Sequence, residues 1–453
     1  MNKFKNIVLA VLALSVSVGC EDYMEPSVDQ EILATQAVST PADLEAVVLG
    51  IHDRLNSVAL YGRDMYVSGD VMSDNAFANG ATNRFITQAN FDFITNNGYA
   101  LGVWANSYAS IANANLVINA DVASSTAVDY SRGQAYALRA LNHFNLLMWF
   151  GQQYVTGGTL GVPYVTTYAT GDLYPSRNTV AEVYTNIIAD LNEAISLMSP
   201  EATVNVGYMN YYAVKALQSR VYLANGNNAE AIAAADVVIN SGKYSLMAAT
   251  AYFDAWVAGS GPSSLFEVAF TSVDRPGTDN IARIYRPTNY GDIEVSADLY
   301  NAYAAGDIRK TLYEESNGTY RVVNKYVDEL GSDNVRVIRY EEVLLNKAEA
   351  LAKTGGAAAA LTIINQIATA RGGATYTAGT LDNVLAERRL ELAMEGHRLF
   401  DLARNGKNIA LFGSIRNVPG FATSLPFGNY RFALPIPQAE MDANSNMVQN
   451  SGY

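Results

Sequence analysis

The sequence predicts a mainly α-helical protein, a scaffold of helix pairs carrying long irregular excursions and a few short strands. Three observations predict it. Amphipathic segments opened by capping residues recur along the chain, two of the helix pairs repeat one plan, and the stretches between them, rich in Gly, Asp, Asn and Tyr, lose helical period.

The first twenty residues belong to no helix pair. Lys3 and Lys5 precede an apolar run from Ile7 to Val18 that is too short to span a bilayer, which takes about 20 apolar residues, and has the form of an export leader over residues 1–19. It ends at Cys20, the only cysteine of 453 residues, so no internal disulfide is open to it and the thiol is either free or modified. Residues 20–39 are acidic, polar and without period, and read as a tether. The body, residues 40–453, starts at "STPADLEAVVLGIHDRL", where Thr40 caps, Pro41 suits the first turn, and Leu44, Val47, Val48, Ile51 and Leu55 mark a helical face.

Further helices are predicted through "WANSYASIANANLVINA" and through "SRGQAYALRALNHFNLLMWFG", the latter stopped by Gly151. "NTVAEVYTNIIADLNEAISLMSP" carries a capping box, Thr179 with Glu182, and a stripe from Val180 to Met198 that Pro200 closes. Residues 208–242 then read as helix, Gly turn and helix, and residues 339–373 repeat that plan. Placing Gly226 on Gly355 matches Ala231 with Ala360, Ile232 with Leu361 and Val238 with Ile367, the alternation by which tetratricopeptide-like pairs stack. Residues 61–97, 152–177 and 242–336 are the excursions, with strand-like pieces such as "SLFEVAF" and "GTYRVVNKY".

Composition excludes several functions. Loss of the leader removes two lysines and no acid, taking the net charge from −14 to −16, which opposes binding to nucleic acid or, by charge alone, to anionic lipid. His52, His143 and His397 lie far apart in helical patterns, without paired spacing for zinc, and no GxSxG elbow or Walker-type loop occurs. "GDVMSDNAFANG" lacks the D-x-D-x-D-G order and distal Glu of a calcium loop. In "LAERRLELAMEGHRLFDLARNG", Glu387, Glu391 and Glu395 stand four apart on one predicted helix. Carboxylates stacked along one helix cannot flank a sugar from both sides as glycoside hydrolysis requires, so they read as an ion-pair ladder that docks the helix. No cofactor is expected.

That last segment, with "RYEEVLLNKAEALAKTG", "INQIATARGG" and the C-terminal "LPIPQAEMDANSNMVQNSGY", resembles the SusD/RagB family of outer-membrane nutrient-binding lipoproteins. "CEDYMEP", "ALRALNHFNLLMWFG", "GVPYV" and "DIRKTLYEE" follow in the family's order. The resemblance implies four tetratricopeptide-like helix pairs with the excursions carrying the ligand site. It implies lipidation of Cys20, display at the cell surface, and non-catalytic capture of oligosaccharides, or peptides in some branches, for a SusC-like TonB-dependent transporter.

The resemblance fixes no ligand residue, so the candidates come from chemistry: aromatic faces for sugar rings, and amides, carboxylates or Arg for hydroxyls. One loop offers Tyr61, Asp70, Asp74, Asn75, Phe77, Asn79 and Arg84, and another Arg283, Tyr285, Arg286, Asn289, Tyr290 and Asp292. Trp149 and Trp104 read as core, and Trp256, bordering a loop, as core or ligand platform.

Overall fold

The computed structural model describes residues 38–168, 173–202, 205–258, 261–413 and 416–453. Cys20 and nearly all of the expected tether lie outside the described residues. Capping chemistry starts the helices where the sequence places them. Thr40 and Asp43 close a capping box on α1 (Pro41–Arg54), and Thr179 and Glu182 do the same for α6 (Val180–Leu197). Between them, α2 (Asp64–Val71), β1 (Ala76–Ala78) and α3 (Ile86–Ala89) precede two long helices, α4 (Gly98–Ile118) and α5 (Thr126–Phe150).

Helices α4, α5 and α6 pack in sequence, α4 on α5 across a short connection and α5 on α6 although the excursion at 152–177 separates them. Next come α7 (Tyr211–Ala224) and α8 (Asn228–Asn240), and much later α12 (Tyr340–Lys353) and α13 (Ala357–Ala370), which stack with α12 against α8. The internal repeat is visible in three dimensions. Gly226 and Gly355 turn the two pairs at φ of 81° and 86°, where a side chain would be strained. Ala231 and Ala360 are both fully buried, as are Val238 and Ile367. Small residues at these matched positions let one pair approach the next.

The excursions hold the remaining elements: α9 (Tyr252–Ala258), β2 (Ser264–Val268), α10 (Ile281–Tyr285), β3 (Ile293–Val295), α11 (Ala297–Ala302), β4 (Tyr313–Ser316), β5 (Thr319–Val322) and β6 (Val335–Arg339). They end with α14 (Leu381–Glu391), α15 (Arg398–Arg404), β7 (Ile409–Ala410), β8 (Ser424–Leu425) and α16 (Gln438–Ala443). An antiparallel sheet in the order β1-β3-β5-β4 joins chain regions more than 200 residues apart, with Phe77 opposite Glu294. No helix of the described residues is long and apolar enough to cross a membrane.

Helix α2 falls inside a stretch expected to be irregular. All of Met65 to Val71 is buried, so the segment has no polar face to give it a period. Gly69 packs against the backbone of Gly396, where any Cβ would collide with the Gly396 carbonyl. The acidic ladder is also corrected. Helix α14 stops at Glu391, the chain turns through Met394 (φ 63°) and Gly396 (φ 76°), and Glu395 therefore lies off the helix.

Those acids hold a charged core. Glu391 accepts from Arg309 (3.0 Å), Arg339 (2.8 Å) and Arg371 (3.1 Å). Glu387 takes Arg309 at 2.6 Å, and Glu395 takes Arg339 and Lys325, each at 2.8 Å. All of these side chains are buried, so each guanidinium needs its full set of acceptors to offset the loss of water. The network ties α14 and the turn after it to the excursions that carry the loops.

Candidate functional site

The two candidate loops, distant in sequence, form one surface through the β1–β3 pairing. Asn79 N–H donates to the Asp292 carbonyl (2.8 Å), and its side-chain amide to the Gly291 carbonyl (2.8 Å) and Glu294 (3.2 Å). Thr82 Oγ1 donates to Asp292 (2.5 Å). The Arg84 guanidinium lies over Tyr290 with its Cζ 4.0 Å from the ring centre, and Arg283 approaches the same ring at 5.9 Å. Arg84 is one-third exposed, and Phe77, Asn289, Tyr290 and Arg283 are half-buried.

The loop reaches this place because its root is clamped. Arg398 grips Asp74 with two parallel bonds (2.7 and 2.8 Å), and Arg389 donates to Asn75 (2.9 Å) and to the Asp74 carbonyl (2.9 Å). Burial works to raise the Asp74 pKa, and the Arg398 fork outweighs it, holding the carboxyl below its ordinary range. Asp70 accepts from Asn75 (3.0 Å) and from the N–H groups of Met394 (3.2 Å) and Gly396 (2.7 Å), while burial pushes its carboxyl up to about 6.

Several candidates therefore serve the framework rather than the surface. Asp70 and Asn75 are fully buried and spent on internal partners. Asp74 is nine-tenths buried in the Arg398 clamp. Tyr61 bonds Asn145 in the interior (3.1 Å), and Tyr285 is sealed, stacked on Tyr326. Trp256 is core as well, with Lys325 and Arg336 each 4.1 Å from its ring centre. An aromatic or a carboxylate in a Gly- and Asn-rich stretch looks exposed from sequence, but here apolar and cationic neighbours close over it. Phe77, Asn79, Arg84, Arg283, Arg286, Asn289 and Tyr290 are the candidates that keep part of their surface exposed on the two loops. Arg84 covers one face of the Tyr290 ring, and the ring remains partly exposed.

Sequence reasoning missed Thr82, Glu294, Arg321 and Glu329. Arg321 bonds Glu294 at 2.9 Å from the neighbouring β5, and Glu329 accepts from Thr288 (2.5 Å) and Arg286 (3.3 Å). Strand pairing sets Glu294 opposite Phe77 and brings the Arg321 strand beside it, while Thr82 and Glu329 arrive on loops through their bonds to Asp292 and Thr288.

The histidines are structural. Fully buried His143 pairs its Nδ1 with the Arg139 carbonyl (3.0 Å) and accepts the Val165 N–H at Nε2 (3.1 Å). Burial lowers its pKa to about 3 and that of His52 to about 4, keeping both rings neutral. A larger cleft of about 590 Å³ lies beside α14 and α15, but the cations lining it, Arg389, Arg398 and Lys407, are already paired with Asp298, Asp74 and Asp382. Among the described residues no cluster of His, Cys, Asp and Glu could hold a metal ion.

Residues 300–453 match the profile of the SusD family, and residues 22–223 one described as starch-binding associating with outer membrane. A SusD superfamily protein of Bacteroides vulgatus ATCC 8482 superposes with a TM-score of 0.82 at 32% identity, over 92% of this chain and 99% of that one. The chain belongs to the SusD family. A second SusD superfamily protein, from Bacteroides thetaiotaomicron VPI-5482, gives a TM-score of 0.81 at 28% identity over 91% and 99% of the two chains. SusD-like protein P2 of Formosa agariphila is 27% identical over the full length of both chains. Surface glycan-binding protein A of Bacteroides thetaiotaomicron, solved with laminarihexaose, shares the SusD fold at a TM-score of 0.74 and 21% identity, over 91% and 100% of the chains.

Proposed function

We propose that this SusD-family chain is a non-catalytic receptor that captures oligosaccharides at the cell surface and passes them to a SusC-like TonB-dependent transporter. The observation that carries the reading is the β1–β3 junction. It gathers amide, carboxylate, guanidinium and aromatic groups from two distant loops onto one half-exposed surface above a rigid charged core. The relative solved with laminarihexaose supports a glycan as the cargo. Phe77, Arg84, Asn289 and Tyr290 are the proposed contacts.

The two carboxyls raised furthest lie out of a ligand's reach. Burial raises Asp70 to about 6 and Glu387 to about 7, the range a general acid needs, but both are sealed inside and engaged. Glu329, nearer the surface, is held low by hydrogen bonds from Thr288. Anchoring would rest on acylated Cys20, and more than one acyl chain would be needed for firm attachment. Replacing Cys20 by Ala is expected to leave the body folded and release it from outer-membrane fractions; unchanged fractionation would remove the lipoprotein reading.

The deciding experiment titrates the full-length chain calorimetrically against oligosaccharides and mixed peptides, with an assay for cleavage products. Saturable sugar binding without products is expected. Binding of peptides alone would replace the cargo, and products would overturn the non-catalytic reading.

A further inference from the structure

The arginines around the junction divide into two kinds. Arg63, Arg286 and Arg321 each hold a carboxylate within hydrogen-bond reach: Asp64 at 2.7 Å, Glu329 at 3.3 Å and Glu294 at 2.9 Å. The two on Tyr290 do not. Arg84 lies 3.7 Å from Asp292, beyond a hydrogen bond, and its one donated bond goes to Thr82 Oγ1 at 2.9 Å. Among the described residues Arg283 has the Glu329 backbone carbonyl (3.0 Å) as its polar partner and no carboxylate. Two positive groups thus share one ring within 6 Å of its centre, with Asp292 making a loose ion pair to Arg84 at 3.7 Å and no carboxylate on Arg283 among the described residues. Of the nearby acids, Glu294 is taken by Arg321 and Asn79 and Glu329 by Thr288 and Arg286, whereas Asp292 gives one oxygen to Thr82 and turns the other, which accepts no hydrogen bond, toward Arg84.

The backbone holds Arg84 out on purpose-built geometry. Its two neighbours, Asn83 at φ 61° and Phe85 at φ 60°, both lie in the left-handed region, which costs a non-glycine residue energy. Phe85 is buried and anchors the kink, with the Arg63 guanidinium over its ring. Contact with Tyr290 then restrains the Arg84 guanidinium, and a third of the side chain stays exposed. A flat, pre-oriented fork of this kind suits a planar or tetrahedral oxyanion far better than a neutral hydroxyl.

We infer that the oligosaccharide taken by this surface is acidic, with a uronate carboxylate or a sulfate ester seated between Arg84 and Arg283 beside Tyr290. This rests on the glycan-capture reading and narrows it to a charge class. An acidic ligand of a protein with net charge −14 needs such a local reversal of sign, because the average field repels it.

The test compares matched probes on the full-length chain: galacturonate oligomers, the same oligomers as methyl esters, sulfated galactan oligomers, and neutral laminari- and malto-oligosaccharides. The acidic probes are expected to bind at least tenfold tighter than the methyl esters and neutral sugars, with the advantage shrinking as NaCl rises from 50 to 500 mM. Arg84→Ala and Arg283→Gln should each erase that advantage with the melting temperature kept, and Arg84→Lys should restore part of it. Preference for carboxylated over sulfated oligomers, or the reverse, would identify the anion. If neutral sugars bind as well as acidic ones, glycan capture stands and the acidic class falls. If no glycan binds, both readings fall.

Discussion

The charged core and the loop junction use the same residue types to opposite ends. In the core, Glu391 alone is shared by three guanidiniums, and every buried charge meets an opposite one at hydrogen-bond distance. At the junction, Arg84 and Arg283 lie on an aromatic ring, the first with Asp292 at 3.7 Å, beyond a hydrogen bond, and the second with a backbone carbonyl in place of a carboxylate. The core has lost its water and the junction keeps part of its own, and they differ in what completes them: the protein itself in the core, and an arriving ligand at the junction. The comparison separates charges that hold the fold from charges held ready by it.

Breaking the core should have the largest effect. Glu391→Ala leaves Arg309, Arg339 and Arg371 short of an acceptor, and a loss of about 3–5 kcal/mol is expected in chemical denaturation, enough to unfold a marginal domain. Mild acid should come next. His52 and His143 have folded pKa values of about 4 and about 3, below the ordinary 6.5, so their contribution is intact above pH 6.5 and is lost as pH falls toward those values. Asp70 has the opposite sign. Its folded pKa of about 6 means the folded state gains on protonation, which offsets part of the loss between pH 6 and 4. His397, also lowered to about 4, acts with the other two histidines, and Glu387, raised to about 7, acts with Asp70; three histidines against two carboxyls leave a net decrease of about 2 kcal/mol from pH 7.5 to 4.5, measurable by urea denaturation at each pH.

The connection between the two regions can be cut separately. Asp74→Asn keeps the shape of the side chain but takes the counter-charge from Arg398, and a loss of about 1–2 kcal/mol is expected, with faster amide exchange in residues 75–84. Arg84→Ala should cost least, about 1 kcal/mol or under from the lost ring contact, yet should weaken oligosaccharide binding at least tenfold. A variant that is stable but does not bind would sharpen the contrast; one that unfolds would place Arg84 with the core.

The helical scaffold was legible because its signals are local. Thr40, Thr179 and Glu182 act within one turn, and Gly226 and Gly355 mark the same bend in two repeats. Helix α2 was not, because a segment buried on all sides has no period. The site was half legible: residue type and loop character located both stretches, but not which side chains face water. Asp70, Tyr285 and Trp256 are sealed by partners from about 40 to more than 300 residues away, such as Gly396, Tyr326 and Arg336. The partnership of Arg84 with Tyr290 depends on the β1–β3 register, which three-residue strands do not announce.

The most direct test of the account is hydrogen–deuterium exchange on the full-length chain with and without a saturating oligosaccharide found by the titrations. The account predicts protection at residues 79–85 and 283–294, with the core around Glu391 unchanged. Protection confined to the cleft beside α14 and α15, with those loops unaffected, would contradict it.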